Sequence, residues 1–515
     1  MAAQGVLPFC YEEEPTASGM TALAGLPPYL ELAVVSGLTD SIRQHVQVCS
    51  GRRQGWTDTQ IVMSLVLLNV AGGDCVDDLR ILEQDDGFTR VLRRVEMHSL
   101  RRKERREQER RWRKERKRTV PSPSVVFRYL SAFDNPGEEG KRTAGRAFIP
   151  APSKHLRALG QVNGDLLRFA QRKSVQREAT LDQDASLITT SKAEALYGYR
   201  GDKTYQPMTT YWAEQDMVAH SEFRDGNVPA NYQNLRVLKE TLDVLPAGVV
   251  KVYFRGDTAA NRKDLLRYCA EGKSERFGVI EFAIGVDVTA EFKRAVSEVA
   301  EAEWQPLERE VDGRRVKTGQ EWAEVCFVPN WTAQRKEGPT YRYIAIRELL
   351  EQAELPGLEN QLPFPTMDLG RLPYKVFGLV TNRDIPGDEL IWWYRERCGK
   401  GEEIHKVMKE DLAGGHPPSG RFGANAAWWG MTVLAANLNS LLKRLALPEG
   451  WAPKRLKAIR FGLVKLAGRV VRRARQLIIR LREGHPAYEL LVEVRRRIAT
   501  LCAVGQAIIS AAGSP

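Results

Sequence analysis

The chain has 515 residues, which is long enough for about three domains and a full hydrophobic core. Hydrophobic residues make up 43% and charged residues 28%, as in ordinary globular proteins. The formal net charge of +12 instead indicates a polyanionic partner. No signal peptide and no clean membrane span are visible, and the seven scattered cysteines form no CxxC pair. We therefore expect a cytoplasmic protein without structural zinc.

The first third of the chain is helical in pattern and contains a strongly basic run. Residues 1–30 are predicted to be a loose tail, and the apolar spacing in 31–135 predicts a small helical domain. Within it, residues 101–118 contain 12 Lys/Arg and 4 Glu, so this run accounts for eight of the net positive charges. The structure predicted for this basic run is a solvated, charged helix. The sign of the charge further predicts phosphate binding, by Arg101, Arg105 and Arg113 among others.

From about residue 175 the pattern changes to the α/β class. The predicted elements of residues 175–299 are strands at 178–188, 249–257 and 277–287, a hairpin at 208–227 and a helix at 232–245. Strands that alternate with helices predict a mixed or parallel sheet covered on both faces. Functional groups in such sheets gather at the carboxyl ends of the strands. Asp184 and Asp257 both stand at such ends.

Two further regions follow this α/β segment. Residues 300–383 read as an antiparallel, β-rich insertion that contains Trp322 and Trp331. Residues 384–420 return to the core with a helix, and 421–515 are mainly helical. Lys454–Arg482 contains 11 Lys/Arg, including Arg472 and Arg473, and no acidic residue. A helix on a membrane surface is an alternative interpretation of this segment, but the second basic run at 101–118 favours nucleic acid.

The predicted helix Ile391–Leu412 has a distinctive spacing of charged groups. Glu402, His405, Lys406 and Lys409 recur at i, i+3, i+4 and i+7, which places them on one helical face. A carboxylate followed by basic groups suits a metal ion beside a phosphate. A solvated face of salt bridges is the alternative interpretation.

Three carboxylates from separate segments are candidates for one site: Asp184, Asp257 and Glu402. Two-metal phosphoryl transfer needs such a set, because two divalent ions activate the attacking oxygen and stabilise the leaving oxygen. Mg²⁺ prefers oxygen ligands and keeps several waters, so a few carboxylates suffice. Because acidic residues are numerous in this chain, the pattern alone does not establish that these three carboxylates form one metal site.

Several short motifs resemble those of one known family. They are Asp184-Ala185-Ser186, the stretch 198–208, Arg224-Asp225-Gly226-Asn227, Phe254-Arg255-Gly256-Asp257, the set Tyr394, Arg397, Glu402 and Lys409, and the segment from Asn425 to Asn437-Leu438. Together with the order of regions, they resemble bacterial insertion-sequence DDE transposases. More narrowly, they resemble the insertion sequence 1380 group, which is related to piggyBac. The resemblance covers roughly residues 30–500.

The motif around the glutamate departs from the family in one respect. The family commonly places three residues between its Arg and Glu, whereas four separate Arg397 from Glu402. The spacing of seven to Lys409 favours Glu402, with Glu403 as the alternative. The Ala-Ser pair that follows Asp184 favours it over Asp182.

The resemblance implies a fold, a chemistry and partners. The fold is an RNase H-like mixed sheet interrupted by the β-rich insertion and flanked by helical N- and C-terminal regions. The carboxylate triad would hold two Mg²⁺ ions, with Mn²⁺ as a substitute, at the scissile phosphate of double-stranded DNA. Arg397 and Lys409 would bind phosphates, or alternatively form surface ion pairs with Glu396 or Glu403. Tyr394 would contact the terminal phosphate or pack, and Lys406 lies on the same helix.

The resemblance also bears on the aromatic residues, the assembly and the location of the protein. Related transposases use an aromatic residue of the insertion to stack a flipped base, a role open to Trp322 and Trp331. Packing in the core is the alternative for each. A homodimer in the DNA complex is implied, in the bacterial cytoplasm near the nucleoid.

Three other functions remain open at this point. A domesticated relative would bind DNA without cutting it, and an architectural protein would use only the two basic segments. A nuclease that acts on hybrids would share the core, but it would not need the large β-rich insertion.

Overall fold

The computed structural model describes residues 19–49, 55–98, 100–111, 118–329, 341–350, 364–369, 372–473 and 476–511. Its helices are α1 Pro27–Val35, α2 Leu38–His45, α3 Asp58–Ala71, α4 Leu79–Gln84, α5 Asp86–Glu96, α6 Arg102–Arg111, α7 Pro123–Leu130, α8 Pro136–Glu139, α9 Lys154–Lys173, α10 Asn234–Val244, α11 Lys263–Ala270, α12 Ala290–Ser297, α13 Gly387–Lys406, α14 Phe422–Leu445, α15 Leu456–Ile459 and α16 Ala487–Ala511. Its strands are β1 Met20–Thr21, β2 Glu178–Ala185, β3 Ile188–Thr189, β4 Thr204–Tyr205, β5 Met208–Trp212, β6 Met217–Glu222, β7 Lys251–Gly256, β8 Glu281–Val286, β9 Gln305–Val311, β10 Arg314–Val325, β11 Arg342–Leu349, β12 Thr366–Leu369, β13 Leu372–Thr381, β14 Gly468–Arg473 and β15 Gln476–Arg480.

The chain divides into two compact units. The first comprises Met1–Asn135, Pro152–Leu166 and Val407–Pro515, and the second comprises Pro136–Ala151 and Leu167–Lys406. The first unit is mainly helical. The second is built around a large sheet and contains Asp184, Asp257 and Glu402.

The sheet of the second unit has ten strands among the described residues. Its first half runs in the order β6-β5-β2-β7-β8. Strands β2, β7 and β8 are parallel, whereas β5 and β6 are antiparallel additions at the edge. In chain order of these five strands this is the order 3-2-1-4-5, as expected for an RNase H-like core. The predicted α/β class with a mixed sheet is therefore confirmed.

The β-rich insertion continues this same sheet. Strand β13 pairs antiparallel with β8, and β11, β10 and β9 follow in turn, with β12 also on β13. A buried cluster joins the insertion to helix α13 through Leu307, Trp322, Leu390 and Ile391. The antiparallel pairing was predicted from the sequence, whereas the continuity of one sheet was not, because it depends on pairing between β8 and β13.

The first unit buries two helices almost completely. In α3 every residue except Thr59 is buried, and it packs against α14, in which every residue from Phe422 to Leu442 except Gly430 is buried. Helix α3 begins at a capping box between Thr57 and Gln60. Among the described residues no single helix has the length and apolar character of a membrane span, although α3 with the bent segment Val76–Gln84 meets those criteria as a pair.

Two parts of the first unit differ from the prediction. Residues 468–473 and 476–480, expected to be helical, form the paired strands β14 and β15, whose β-branched valines and isoleucines favour a strand. Strand β1 pairs with β14 at Met20 and Thr21. The part of the predicted loose tail that the structure describes is therefore paired and packed, with Leu26 and Tyr29 fully buried.

Candidate active site

Asp184 lies at the end of β2 and Asp257 directly follows the neighbouring parallel strand β7, at the same edge of the sheet. Strands β2 and β7 pair in parallel, with Gln183 opposite Gly256, and the two aspartates come directly after this last pair. The Asp184 Oδ1 atom accepts a hydrogen bond from the Ala185 N–H at 2.8 Å. The Asp257 Oδ1 atom accepts one from the Ala259 N–H at 3.1 Å and caps a short helical turn. The local backbone thus holds both carboxylates beside each other.

Arg397 of α13 faces this pair of aspartates. Its Nη1 atom lies 3.4 Å from the Asp184 Oδ2 atom, and the residue is 8% exposed. Burial raises the pKa of Asp184, and burial followed by the negative charge of Asp184 raises the pKa of Asp257. The positive charge of Arg397 opposes both shifts. The Arg397 Nε atom is buried and has no hydrogen-bond partner among the described residues, so it is available to a further acceptor.

Tyr394 lies one turn before Arg397 on the same helix. Its ring centre is 5.7 Å from the Arg397 guanidinium carbon. Burial raises the pKa of Tyr394, and the positive charge of Arg397 opposes this shift. A Cβ atom at Gly285 would come within 3.3 Å of the Tyr394 hydroxyl and 3.1 Å of the Thr258 backbone nitrogen. Gly285 therefore leaves room for Tyr394 beside Asp257, a role that sequence reasoning missed because glycines are common in strands and turns alike.

Glu402 does not form a group with Asp184 and Asp257 in the described part of the chain. It is exposed and interacts with Cys398, whose pKa is raised by burial and by the negative charge of Glu402. At about 100° per residue, Glu402 lies about 80° from Tyr394 around the helix axis, whereas Glu403 lies on the side opposite Tyr394. Across the described ranges, no group of three or more His, Cys, Asp or Glu side chains is close enough to hold a metal ion.

Asp182 has a different role from Asp184. Its two oxygens form a paired salt bridge with Arg255 on β7, at 2.6 and 2.9 Å, and both side chains are almost completely buried. Arg255 also donates to the Trp393 carbonyl oxygen and to Glu396 at 3.2 Å. Asp182 therefore balances a buried cation that links β2 and β7 to α13, which leaves Asp184 as the carboxylate at the strand end.

A hydrogen bond that the sequence did not predict links β2 to α13. The Ser186 Oγ atom and the His405 Nδ1 atom are 2.8 Å apart, and both residues are buried. Ser186 stands two residues after Asp184, and His405 stands three residues after Glu402. The contact therefore joins the chain segments that carry these two carboxylates. The only signal in the sequence was that His405 shares a helical face with Glu402.

The two lysines of the predicted helical face are separated by a change in helix type. Helix α13 ends at Lys406, which is exposed, and a π-helical turn spans Val407–Asp411. The predicted α-helical spacing from Glu402 to Lys409 is therefore wrong, because the wider π turn rotates Lys409 away from the α-helical register. Lys409 belongs to the first unit.

Trp322 is not placed for base stacking. It is 8% exposed and belongs to the buried cluster between the insertion and α13. A Cβ atom at Gly387 would lie 2.1 Å from its ring. The predicted contact of Trp322 with DNA is therefore wrong, and the packing alternative is correct. Trp331 lies outside the described residues.

The predicted basic DNA contacts are mainly exposed. Arg101 and Arg105 are exposed at the start of α6, and Arg472 and Arg473 are exposed on β14. All four belong to the first unit. Arg113 lies outside the described residues.

The donor chemistry at the paired aspartates suits a divalent cation. The candidate ligands are carboxylate oxygens, which Mg²⁺ and Mn²⁺ prefer. One oxygen of each aspartate accepts a hydrogen bond from a local backbone N–H, which helps to orient the carboxylate. Asp184 and Asp257 thus have the donor chemistry of a metal site.

A mixed sheet with paired aspartates at the ends of adjacent parallel strands is the arrangement of the DDE class of transposases. The sequence pattern of one family in this class, transposase DDE domain group 1, matches residues 18–503. The chain belongs to this family, and the resemblance to DDE transposases is thereby confirmed. Members of this class generally use divalent metal ions.

One solved structure with overall similarity is the cryo-EM structure of the piggyBac transposase synaptic complex with hairpin DNA. The two chains are 12% identical, the match covers 97% of this chain and 85% of that chain, and the TM-score is 0.40. No curated protein matches the chain.

Proposed function

We propose that this transposase binds the terminal inverted repeats of its mobile element and moves the element by cut-and-paste, through metal-dependent strand cleavage and strand transfer. The observation that carries the proposal is the pair Asp184 and Asp257, held at the ends of adjacent parallel strands and faced by Arg397. Membership in the transposase family supports it.

Asp184, Asp257 and Glu402 are the residues proposed to hold two Mg²⁺ ions, with Mn²⁺ as a substitute. When bound, the ions would activate the attacking oxygen and stabilise the leaving oxygen of an in-line displacement. Asp184 and Asp257 are already oriented by the backbone. Glu402, which lies about 80° from Tyr394 around the axis of α13, is proposed as the third carboxylate of the set.

Arg397 is proposed to bind a phosphate next to the cut. Its Nε–H is buried without a partner in the described part of the chain, although a buried guanidinium normally has its donors satisfied. A phosphate oxygen would supply that acceptor, and guanidinium geometry suits two parallel hydrogen bonds. Tyr394 and Lys406 are proposed as further phosphate contacts.

The wider DNA contacts are proposed for the basic segments of the first unit. Arg101, Arg105, Arg472 and Arg473 are exposed and suit sequence-independent contacts to phosphates. Because transposition joins two DNA ends, we propose a homodimer in the DNA complex. The proposed location is the bacterial cytoplasm, at the nucleoid.

Cleavage of a labelled duplex that carries the element's own ends tests this proposal. Wild type is compared with Asp184→Asn, Asp257→Asn, Glu402→Gln and Glu403→Gln, each in Mg²⁺, Mn²⁺ or EDTA. We expect metal-dependent nicking at the end, lost in the first three variants while duplex binding persists. Glu403→Gln is the matched control and should cut normally. If Glu402→Gln cuts and Glu403→Gln does not, the assignment of the third carboxylate is wrong by one residue.

A DNA-binding relative without cleavage is the second candidate. The observation that favours it is that Glu402 is not grouped with the two aspartates among the described residues. Binding without nicking by wild type in both Mg²⁺ and Mn²⁺ would support this candidate.

A further inference from the structure

The hairpin of β9 and β10 extends beyond the core of the second unit as a two-stranded ribbon. Every residue from 309 to 317 is exposed. The strands are joined by Asp312 and Gly313, with φ angles of 50° and 74°. Two consecutive positive φ values are typical of a type I′ turn, the tight connection that matches the twist of a hairpin. The ribbon is therefore a formed element whose register assigns each side chain to one of two faces.

The strand register gives the two faces of the ribbon different net charges. Val311 pairs with Arg314, Glu310 with Arg315, Arg309 with Val316, and Glu308 with Lys317. Paired residues share a face and successive residues alternate. The arginine face therefore consists of Arg309, Val311, Arg314 and Val316. The opposite face consists of Glu308, Glu310, Arg315 and Lys317, whose charges balance.

The arginine face has an unusual composition for an exposed surface. It carries two positive charges and no acidic residue. Its valines, Val311 and Val316, are 37% and 44% exposed. On the opposite face each acidic residue is paired with a basic residue of the other strand, as expected for a surface exposed only to solvent. Only the arginine face is complementary to a polyanion.

The arginine face lies on the side of the sheet that α13 covers. Leu307 has the same strand parity as Arg309 and Val311, and it is fully buried in the cluster with Leu390 and Ile391 of α13. Two hydrogen bonds connect the base of the ribbon to α13. The Trp392 Nε1 atom donates to the Glu308 carbonyl oxygen at 2.6 Å, and Arg395 donates to the Gln320 side chain at 2.6 Å.

We propose that the arginine face docks on duplex DNA whose scissile phosphate lies at the Asp184 and Asp257 pair. This inference rests on the proposed function and adds a specific DNA-contacting element to it. A two-stranded ribbon fits the major groove of DNA, which is about 12 Å wide. Arg309 and Arg314 contact phosphates, and the exposed valines pack against the sugars and thymine methyl groups.

The test compares two double variants that remove the same charge from opposite faces of the ribbon: Arg309→Gln with Arg314→Gln, and Arg315→Gln with Lys317→Gln. Affinity is measured by fluorescence anisotropy over a series of NaCl concentrations, with a duplex of the element's end and a scrambled duplex. The control is stringent, because it leaves Glu308 and Glu310 unbalanced and thus makes the long-range field more negative. Because the changed residues are exposed, thermal unfolding should match that of wild type in both variants.

The arginine-face variant should bind both duplexes roughly tenfold more weakly at low salt, and its log–log salt slope should be shallower by about 1.8, since each lost phosphate contact contributes about 0.9. The opposite-face variant should keep the slope of wild type. Equal losses in the two variants, or no loss in the arginine-face variant, would overturn the inference. So would a change in self-association without a change in DNA affinity.

The two proposals fail in different ways. If wild type binds and cuts the duplex but the arginine-face variant binds equally well, only the ribbon inference fails. If wild type binds but never cuts, and the arginine-face variant still loses affinity, the catalytic proposal fails while the docking surface stands.

Discussion

At the residue scale, two aspartates on the same face of β2 differ in burial and in the arginine with which each interacts. The Asp182 side chain is 2% exposed and is paired with an equally buried Arg255. The Asp184 side chain is 27% exposed and meets Arg397 at 3.4 Å. A buried, fully bonded pair is a structural contact, whereas a half-buried carboxylate at a strand end can still bind a ligand.

The first prediction separates these two roles. Asp182→Ala should lower the free energy of unfolding by about 3–5 kcal/mol, because it leaves the Arg255 charge buried and unpaired. Asp184→Ala should cost clearly less and abolish cleavage. Urea unfolding of both variants in EDTA measures the difference. An Asp182→Ala protein with the stability of wild type and no cleavage would make Asp182 a catalytic carboxylate instead.

The second prediction concerns the stability cost of the active site. Burial and the Asp184 charge raise the pKa of Asp257 in the folded protein, so its ionised form destabilises the fold. Asp257→Asn should therefore raise the melting temperature in EDTA by about 1–3 °C at neutral pH. The gain should shrink as the pH falls through the raised folded-state pKa, because wild type then becomes protonated too. A lower melting temperature at neutral pH would contradict the argument.

At the element scale, helix α13 organises the second unit. Near its start, Leu390 and Ile391 pack against the insertion. Further along, Arg397 contacts Asp184 and His405 contacts Ser186, at the end of β2. Gly399 lies in the helix interior, where glycine lowers helix stability by about 0.5–1 kcal/mol relative to alanine. Contacts to the sheet therefore offset a weak local propensity close to Glu402.

The third prediction uses two glycines of this helix. Gly387→Ala should destabilise the protein by about 1–3 kcal/mol, because the new methyl group would overlap the Trp322 ring. Gly399→Ala should stabilise it by about 0.5–1 kcal/mol, because nothing lies within 4 Å of the added atom. Chemical denaturation of the two variants provides the comparison. Changes of the same sign would show that the packing at Gly387 is not as described.

At the scale of the whole molecule, the net charge of +12 is concentrated in few segments. The described part of α6 and the hairpin of β14 and β15 carry exposed arginines in the first unit. Contacts to phosphates by such residues bind any sequence and weaken steeply with salt.

The fourth prediction tests this charge distribution. Arg472→Gln with Arg473→Gln should weaken binding to specific and scrambled duplexes alike, and should reduce the salt slope by about 1.8. The matched control is Arg495→Gln with Arg496→Gln, because these arginines are already neutralised by Glu31 and Glu493. The control should bind within about twofold of wild type, as measured by anisotropy. Equal effects would indicate that only the total charge matters.

Local pattern determined much of this protein from its sequence alone. The strands that carry Asp184 and Asp257, the helix that carries Arg397 and Glu402, and the basic segments were all predicted because each depends on periodicity and composition within about 20 residues. The α/β class followed from the alternation of strands and helices. The motifs also indicated the transposase family, which the family match confirmed.

Only the tertiary structure decided which of these residues meet. Asp182 and Asp184 have the same local signal, and only the parallel pairing of β2 with β7 brings Arg255 to Asp182. The burial of Trp322, the contact of Ser186 with His405 and the two unlike faces of the ribbon likewise depend on strand register and on packing between segments far apart in the chain. Periodicity within one segment carries no information about such partners, because they are selected by burial and hydrogen bonding in the folded sheet.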